Sequence, residues 1–447
     1  MTSQSHAHAP APGFSNIMDS NSYRGGQSLD PDAAALISSR ERVLGPAYRL
    51  FYERPVHLVR GQGTRLFDAH DTPHLDAYNN VASVGHCHPR VVAAVTRQLG
   101  LLNTHTRYLH DGIVDYSQRL LQTMPDEIDQ VMYACTGSEA NDLALRVAQM
   151  ATGATGVIVT SDAYHGNTEA VTAISPSIGG ATTLGPHVRT VAAPDSYRWG
   201  ERTAEVFLSD VERAIADLAQ AGYGCSALIV DTIFSSDGIY PDPTVLAPAV
   251  AAARRAGAVF IADEVQPGFG RTGDGMWGFT RHGVTPDLVT MGKPMANGLP
   301  VAAMAARSEV LSAFARAVPY FNTFGGNPVS MAAAGAVLDV IEEEGLIDNA
   351  ARVGAALRTE LAALTADDPT IGEVRGAGLY IGVEVVDGAG VADRARAHAM
   401  VNAMREQRVL ISVCGRDGNV LKIRPPLVFS SSDVDWFCTA FAAVLAG

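Results

Sequence analysis

The chain is short of positive charge. Its 447 residues carry 33 lysines and arginines against 47 aspartates and glutamates, for a net charge of −14 and a pI near 5.3. So acidic a surface argues against nucleic acid or an anionic membrane as the partner, because both present phosphate. It leaves room for a local basic pocket around a small anion. Cysteine is scarce: Cys87, Cys135, Cys225, Cys414 and Cys438 are odd in number, scattered and without CxxC spacing. That pattern excludes a disulfide framework and points to a reducing cytoplasm. No uncharged apolar run reaches membrane length, and no basic segment followed by an apolar one opens the chain. Internal repeats and long charge runs are missing too. What remains is 47% hydrophobic residues over this length. It suits a large enzyme with a sizeable core, arranged as two domains on one chain.

The most informative stretch is 258–300, AVFIADEVQPGFGRTGDGMWGFTRHGVTPDLVTMGKPMANGLP. It holds two apolar, β-branched runs bounded by Gly and Pro, which read as buried strands. One runs into Asp263, the other into Lys293. In an open α/β sheet the chemistry sits just past the carboxyl ends of strands. A carboxylate and an amine placed there suit a cofactor with two handles. Pyridoxal phosphate is such a cofactor: its aldehyde needs a lysine and its ring nitrogen an acid partner. Two strands that end in ordinary surface charges are the bland alternative, and the rest of the chain has to decide.

Residues 1–32, rich in Ser, His, Ala, Pro and Gly, read as a flexible tail. A loose tail accounts for His6 and His8 more simply than metal binding does. Residues 34–44 read as a helix. A hairpin is expected from 56–60 and 64–67 around Gly61-Gln62-Gly63, with a further strand at 75–78. His86-Cys87-His88 has ligands two apart but no distant second pair, which is weak evidence for metal. Thr136 and Glu139 have capping-box spacing ahead of a helix running to about 150. Either a plain capped helix or a phosphate cradle at Gly137 fits there. Strands at 156–160 and 226–230 alternate with helices at 211–220 and 245–256, which predicts a mostly parallel sheet. Tyr164, past the first of these strands, is placed to stack on a flat ring. After residue 350 the pattern changes to that of a smaller α+β domain.

Seven motifs occur in order: GHCHP (85–89), TGSEAND (136–142), AYHG (163–166), IADEVQPGFGRTG (261–273), MGKPMANGLP (291–300), FNTFGGNP (321–328) and VRGAGL (374–379). Together they resemble the class III, ornithine-type, pyridoxal-phosphate aminotransferases across almost the whole chain after residue 35. The resemblance implies the fold type I of pyridoxal-phosphate transferases: α/β, with a mostly parallel seven-stranded sheet in a large domain and a smaller α+β domain built from both chain ends. It divides the chain into 1–32 (tail), 33–80 (small domain), 81–330 (large domain) and 331–447 (small domain), working as a homodimer. It makes Lys293 the Schiff-base lysine, Asp263 the partner of the ring nitrogen and Gln266 the contact of the ring hydroxyl. Gly137 and Ser138 become the phosphate cradle and Tyr164 the stacking aromatic. Thr323 is the residue that reaches the phosphate from the neighbouring subunit.

One stretch departs from the amine-transferring members, whose corresponding strand usually ends in Glu-Pro-Val-Gln-Gly-Glu-Gly-Gly. Here Asp231-Thr-Ile-Phe-Ser-Ser-Asp-Gly238 stands instead, with Ser236 at the second glutamate. Other stretches, among them 49–52, 103–111 and 419–426, are similar to the ethanolamine-phosphate phospho-lyases within the family. The expectation is therefore a lyase that eliminates phosphate from O-phosphoethanolamine. An ω-amine or amino-acid aminotransferase is the alternative. A non-catalytic scaffold is a third reading, which an intact Lys293 and Asp263 oppose. Lys422 and Arg424, two apart in an expected strand, share a face, and with Tyr52 are candidates for the substrate phosphate.

Overall fold

The computed structural model describes residues 16–79, 81–180 and 183–447. His6, His8 and the rest of the first fifteen residues lie outside them, as does Asn80. The central sheet has seven strands in the order Gln130–Ala134, Ala302–Ala306, Leu288–Met291, Val259–Asp263, Cys225–Asp231, Gly156–Thr160, Val188–Val191. Ala302–Ala306 is antiparallel to both its neighbours, and all other pairs are parallel. Every residue of Val259–Asp263, Leu288–Met291 and Gly156–Thr160 is buried. Helices cover both faces of such a sheet, so its strands carry unbroken apolar runs rather than alternation. The helix Thr203–Gln220 shows the complement: Phe207, Val211, Ala214 and Leu218 form one buried stripe at helical spacing. Each fully buried Phe or Leu of this kind stabilises the fold by roughly 1.5–3 kcal/mol.

Two four-stranded sheets flank this body. One pairs Leu58–Gln62, Arg65–Asp68 and Pro73–Asp76 with Val409–Leu410 from the far end of the chain. The other is Ile371–Ala377, Tyr380–Val385, Val420–Ile423 and Ser412–Cys414. The expected hairpin forms one step later than its glycines suggest: Gly61 and Gln62 still pair with Leu66 and Arg65, and the chain reverses at Gly63, whose φ is +55°. Part of the expected tail is packed, since Ser20 and Asn21 are buried and the Tyr52 N–H donates to the Asn21 carbonyl. The helix Pro328–Glu343 runs across the expected domain boundary at 330 and packs on the helix Pro89–Leu99 and the short Lys293–Ala296 turn.

Candidate active site

Asp263 ends its strand, and Lys293 follows the next strand after Gly292, so both stand at carboxyl ends of neighbouring parallel strands. The Asp263 carboxylate is buried. Its Oδ2 accepts from Asn141 Nδ2 at 2.9 Å and His165 Nδ1 at 2.7 Å, and its Oδ1 accepts the Val265 N–H at 3.1 Å. A carboxylate accepts about four hydrogen bonds, so one site is left for a ligand N–H. Thr290, opposite Asp263 in the register, donates to Asn141 Oδ1 at 2.6 Å and fixes that amide. The Lys293 amine is pulled down to about 8, first by burial and then by the charge of Arg424.

The helix Gly137–Thr152 begins beside this pair. Its capping box forms as expected: Thr136 Oγ1 accepts from the Glu139 N–H, and Glu139 returns a bond to the Thr136 N–H. The first N–H groups of a helix have no intrahelical acceptor. The box occupies that of Glu139; those of Gly137 and Ser138 remain as helix-start donors, a kind of group that suits an anion. Space there is tight. A Cβ on Gly166, whose φ is +141°, would lie 2.3 Å from Ser138 Oγ, and one on Gly137 would lie 2.9 Å from Val265. Gly137, Ser138, Tyr164, Asp263, Gln266 and Lys293 all line one open cavity of about 390 Å³. The Tyr164 hydroxyl is pushed up by burial and by Asp263.

A cluster of buried polar side chains behind the lining meets the cavity at Gln266. Its Nε2 donates to Ser235 Oγ, and its Oε1 accepts from Tyr380 Oη at 3.0 Å and from Arg424. Gln266, expected at a ring hydroxyl, is thus engaged at both ends of its amide. Lys422 Nζ donates to the Ser235 carbonyl at 2.7 Å and lies over the Tyr380 ring. Arg424 donates to the Tyr78 carbonyl at 2.8 Å and stacks on the Tyr78 ring. Lys422 and Arg424 are both buried and neither forms an ion pair among the described residues. Ser235 also donates to Asp231, a cavity-lining carboxyl pushed up by burial and by Asp263.

A model of the aminotransferase class-III family matches residues 51–445. The chain belongs to the class III aminotransferases. The cofactor of this family is pyridoxal phosphate, and its fold is the type I fold of pyridoxal-phosphate enzymes. The chain is 40% identical to the alanine–glyoxylate aminotransferase 2-like protein of Drosophila melanogaster, over 92% of this chain and 86% of that one. It is 33% identical to the ethanolamine-phosphate phospho-lyase homolog 1 of Caenorhabditis elegans, over 92% and 93%. A solved structure of an Arthrobacter phospholyase in complex with phosphoethanolamine matches with a TM-score of 0.90 at 41% identity, over 92% of this chain and 99% of that one.

Four expected residues of this class III chain are outside the cavity lining: Lys422 and Arg424, which reach it only through Ser235 and Gln266, and Tyr52 and Thr323. The Tyr52 hydroxyl, a candidate for the substrate phosphate, donates to the Ile411 carbonyl at 3.0 Å, and its backbone holds a φ of +71°, unusual for a bulky residue. Thr323 is exposed and outside the cavity lining of its own chain. His86 and His88 serve different pairs, with Asp76 at 2.6 Å and with Glu344 at 3.1 Å. Sequence reasoning missed Asn141, His165, Thr290, Ser235 and Tyr380. One signal was available: Asn141 lies one helical turn after Gly137 and so faces the same strand ends.

Proposed function

We propose that this class III enzyme is a phospho-lyase that turns O-phosphoethanolamine and water into acetaldehyde, ammonia and phosphate. The observation that carries the proposal is a wall of two buried cations behind the cavity lining, Lys422 and Arg424, neither with a carboxylate partner among the described residues. A phosphate dianion supplies the charge that such a wall lacks. Ser236, where the aminotransferase pattern keeps a glutamate, leaves Arg424 free for it. The likeness to the phosphoethanolamine-bound Arthrobacter structure supports the same reading.

The residues fit the cofactor. Gly137 and Ser138 would hold its phosphate, Asp263 its ring nitrogen through the one open acceptor site, and Tyr164 a face of the ring. When bound, pyridoxal phosphate supplies an aldehyde that condenses with the substrate amine and a ring that withdraws electrons from the neighbouring carbon. Lys293, with its pKa near 8, is neutral in a useful fraction near neutral pH and takes the proton from the carbon that bears the nitrogen. Arg424 and Lys422 hold the substrate phosphate while the β carbon–oxygen bond breaks and the electron pair leaves on phosphate. Water then releases acetaldehyde and ammonia, and no keto acid enters.

The same proposal places the enzyme in the cytoplasm as a homodimer. All five cysteines are free, and the exposed Thr323 is available to a partner's site. No helix among the described residues is long and apolar enough to cross a membrane. The second reading, amine transfer to a keto acid, is favoured by the name of the Drosophila relative. The cofactor spectrum separates the two. Excess phosphoethanolamine without acceptor leaves a lyase with its original absorbance once substrate is consumed. A transaminase shows a lasting loss of the aldehyde-form absorbance, one equivalent per site.

A further inference from the structure

Arg271 is only 1% exposed, and its side chain makes two hydrogen bonds among the described residues. Its Nη1 donates to the carbonyls of Leu379 at 3.2 Å and Pro425 at 2.6 Å, while Nε and Nη2 have no hydrogen-bond partner among the described residues. The Leu379 N–H returns a bond to the Arg271 carbonyl at 3.0 Å. Leu379 precedes Tyr380 and Pro425 follows Arg424, so one guanidinium nitrogen ties together the two segments whose side chains meet on Gln266.

Two backbone contacts are poor compensation for a buried charge. A further deeply buried arginine, Arg375, meets Glu384 at 2.7 Å and Glu373 at 3.0 Å. Arg271, Lys422 and Arg424 form no ion pair among the described residues. The acids around them are already engaged: Asp76 by His86 and the N–H groups of Tyr78 and Asn79, Asp231 by Ser235 and the Ile233 N–H. Burial, and next the charge of Arg424, lower the Arg271 pKa, so the two guanidiniums act on each other. Three cations set against Asp76 and Asp231 leave the cluster net positive, a field that favours a doubly charged anion over a singly charged one. Out of solvent this excess is little screened.

We infer that Arg271 is a specificity-determining residue whose charge, placed behind Arg424, makes the pocket select a doubly charged anion over a singly charged one. The inference rests on the phospho-lyase reading for its natural ligand, but its test does not require turnover. Inorganic phosphate and acetate are titrated calorimetrically into the holoenzyme of wild type, Arg271→Gln and Arg271→Lys. Glutamine keeps N–H donors for Leu379 and Pro425 but removes the charge; lysine keeps the charge. Arg271→Gln should weaken phosphate at least tenfold and acetate less than threefold, with Arg271→Lys within threefold of wild type for both. Unchanged phosphate affinity in Arg271→Gln, equal loss for both anions, a lysine variant as weak as the glutamine one, or no phosphate binding by wild type at millimolar concentration overturns it. Should Arg271→Gln fail to fold, Arg271→Met takes its place under the same criteria. A wild type that binds phosphate through Arg271 yet releases none from phosphoethanolamine removes the lyase reading alone. Release without Arg271 dependence removes this inference alone.

Discussion

The Nδ1 of His165 lies 2.7 Å from the Oδ2 of Asp263, with the histidine ring wholly out of solvent. Asn141 donates to the same oxygen, and Thr290 holds Asn141 in place. Three residues thus orient the carboxylate that the proposal assigns to the cofactor ring. Removing one of them leaves the position of Asp263 looser and its charge less well compensated. His165→Phe should keep the cofactor bound and lower kcat about tenfold or more, with KM changed less than threefold. It should also cost about 1–3 kcal/mol of stability through the lost buried bond. Steady-state kinetics and denaturant unfolding on one preparation check both.

Lys293 makes stability depend on pH in a direction opposite to that of a paired lysine. Its amine is drawn from 10.5 to about 8 by burial and then by Arg424. In cofactor-free protein between pH 8 and 10.5, unfolding therefore takes up a proton, and stability rises with pH across that window. Below pH 8 the cost of the buried charge is fully present. Lys293→Met should accordingly be more stable than wild type at pH 7, by about 1–3 kcal/mol, with the gap closing as pH approaches 10.5. Urea unfolding of the two cofactor-free proteins at pH 7, 9 and 10 measures this, and a gap independent of pH would refute it. The same substitution should abolish turnover, since nucleophile and base are lost together.

Arg424 is bonded to Gln266 and to the Tyr78 carbonyl; under the proposed role of Arg424 as holder of the substrate phosphate, its truncation should read on the substrate more than on the cofactor. Arg424→Ala should lower kcat/KM for phosphoethanolamine at least tenfold, about 1.4 kcal/mol, mainly through KM. The cofactor spectrum should stay as in wild type. Equal losses on phosphorylated and unphosphorylated amines would instead report a general defect of the site.

Much of this was legible in the sequence because the signals are local. The buried strands appeared as short apolar runs, and Lys293 and Asp263 as the charges that end two of them. Thr136 and Glu139 announced their cap by spacing alone, and the two-residue period placed Lys422 and Arg424 together. The residues that escaped reading act through contacts between distant positions. His165 and Asp263 are 98 residues apart, Asn141 and Thr290 149, Arg271 and Pro425 154. Nothing in the local pattern of a buried histidine or arginine says which carboxylate or carbonyl it will meet. Tyr52 shows the reverse failure: its place near the chain end suggested a substrate donor, but tertiary packing committed its hydroxyl to Ile411.

The most direct test of the lyase reading is phosphate release from O-phosphoethanolamine by the holoenzyme with every keto acid removed. Sustained release over many turnovers, with acetaldehyde and ammonia formed in equal amounts, is the predicted result. Release that stops at or below one phosphate per active site, or amine transfer to pyruvate with no phosphate released, would contradict it.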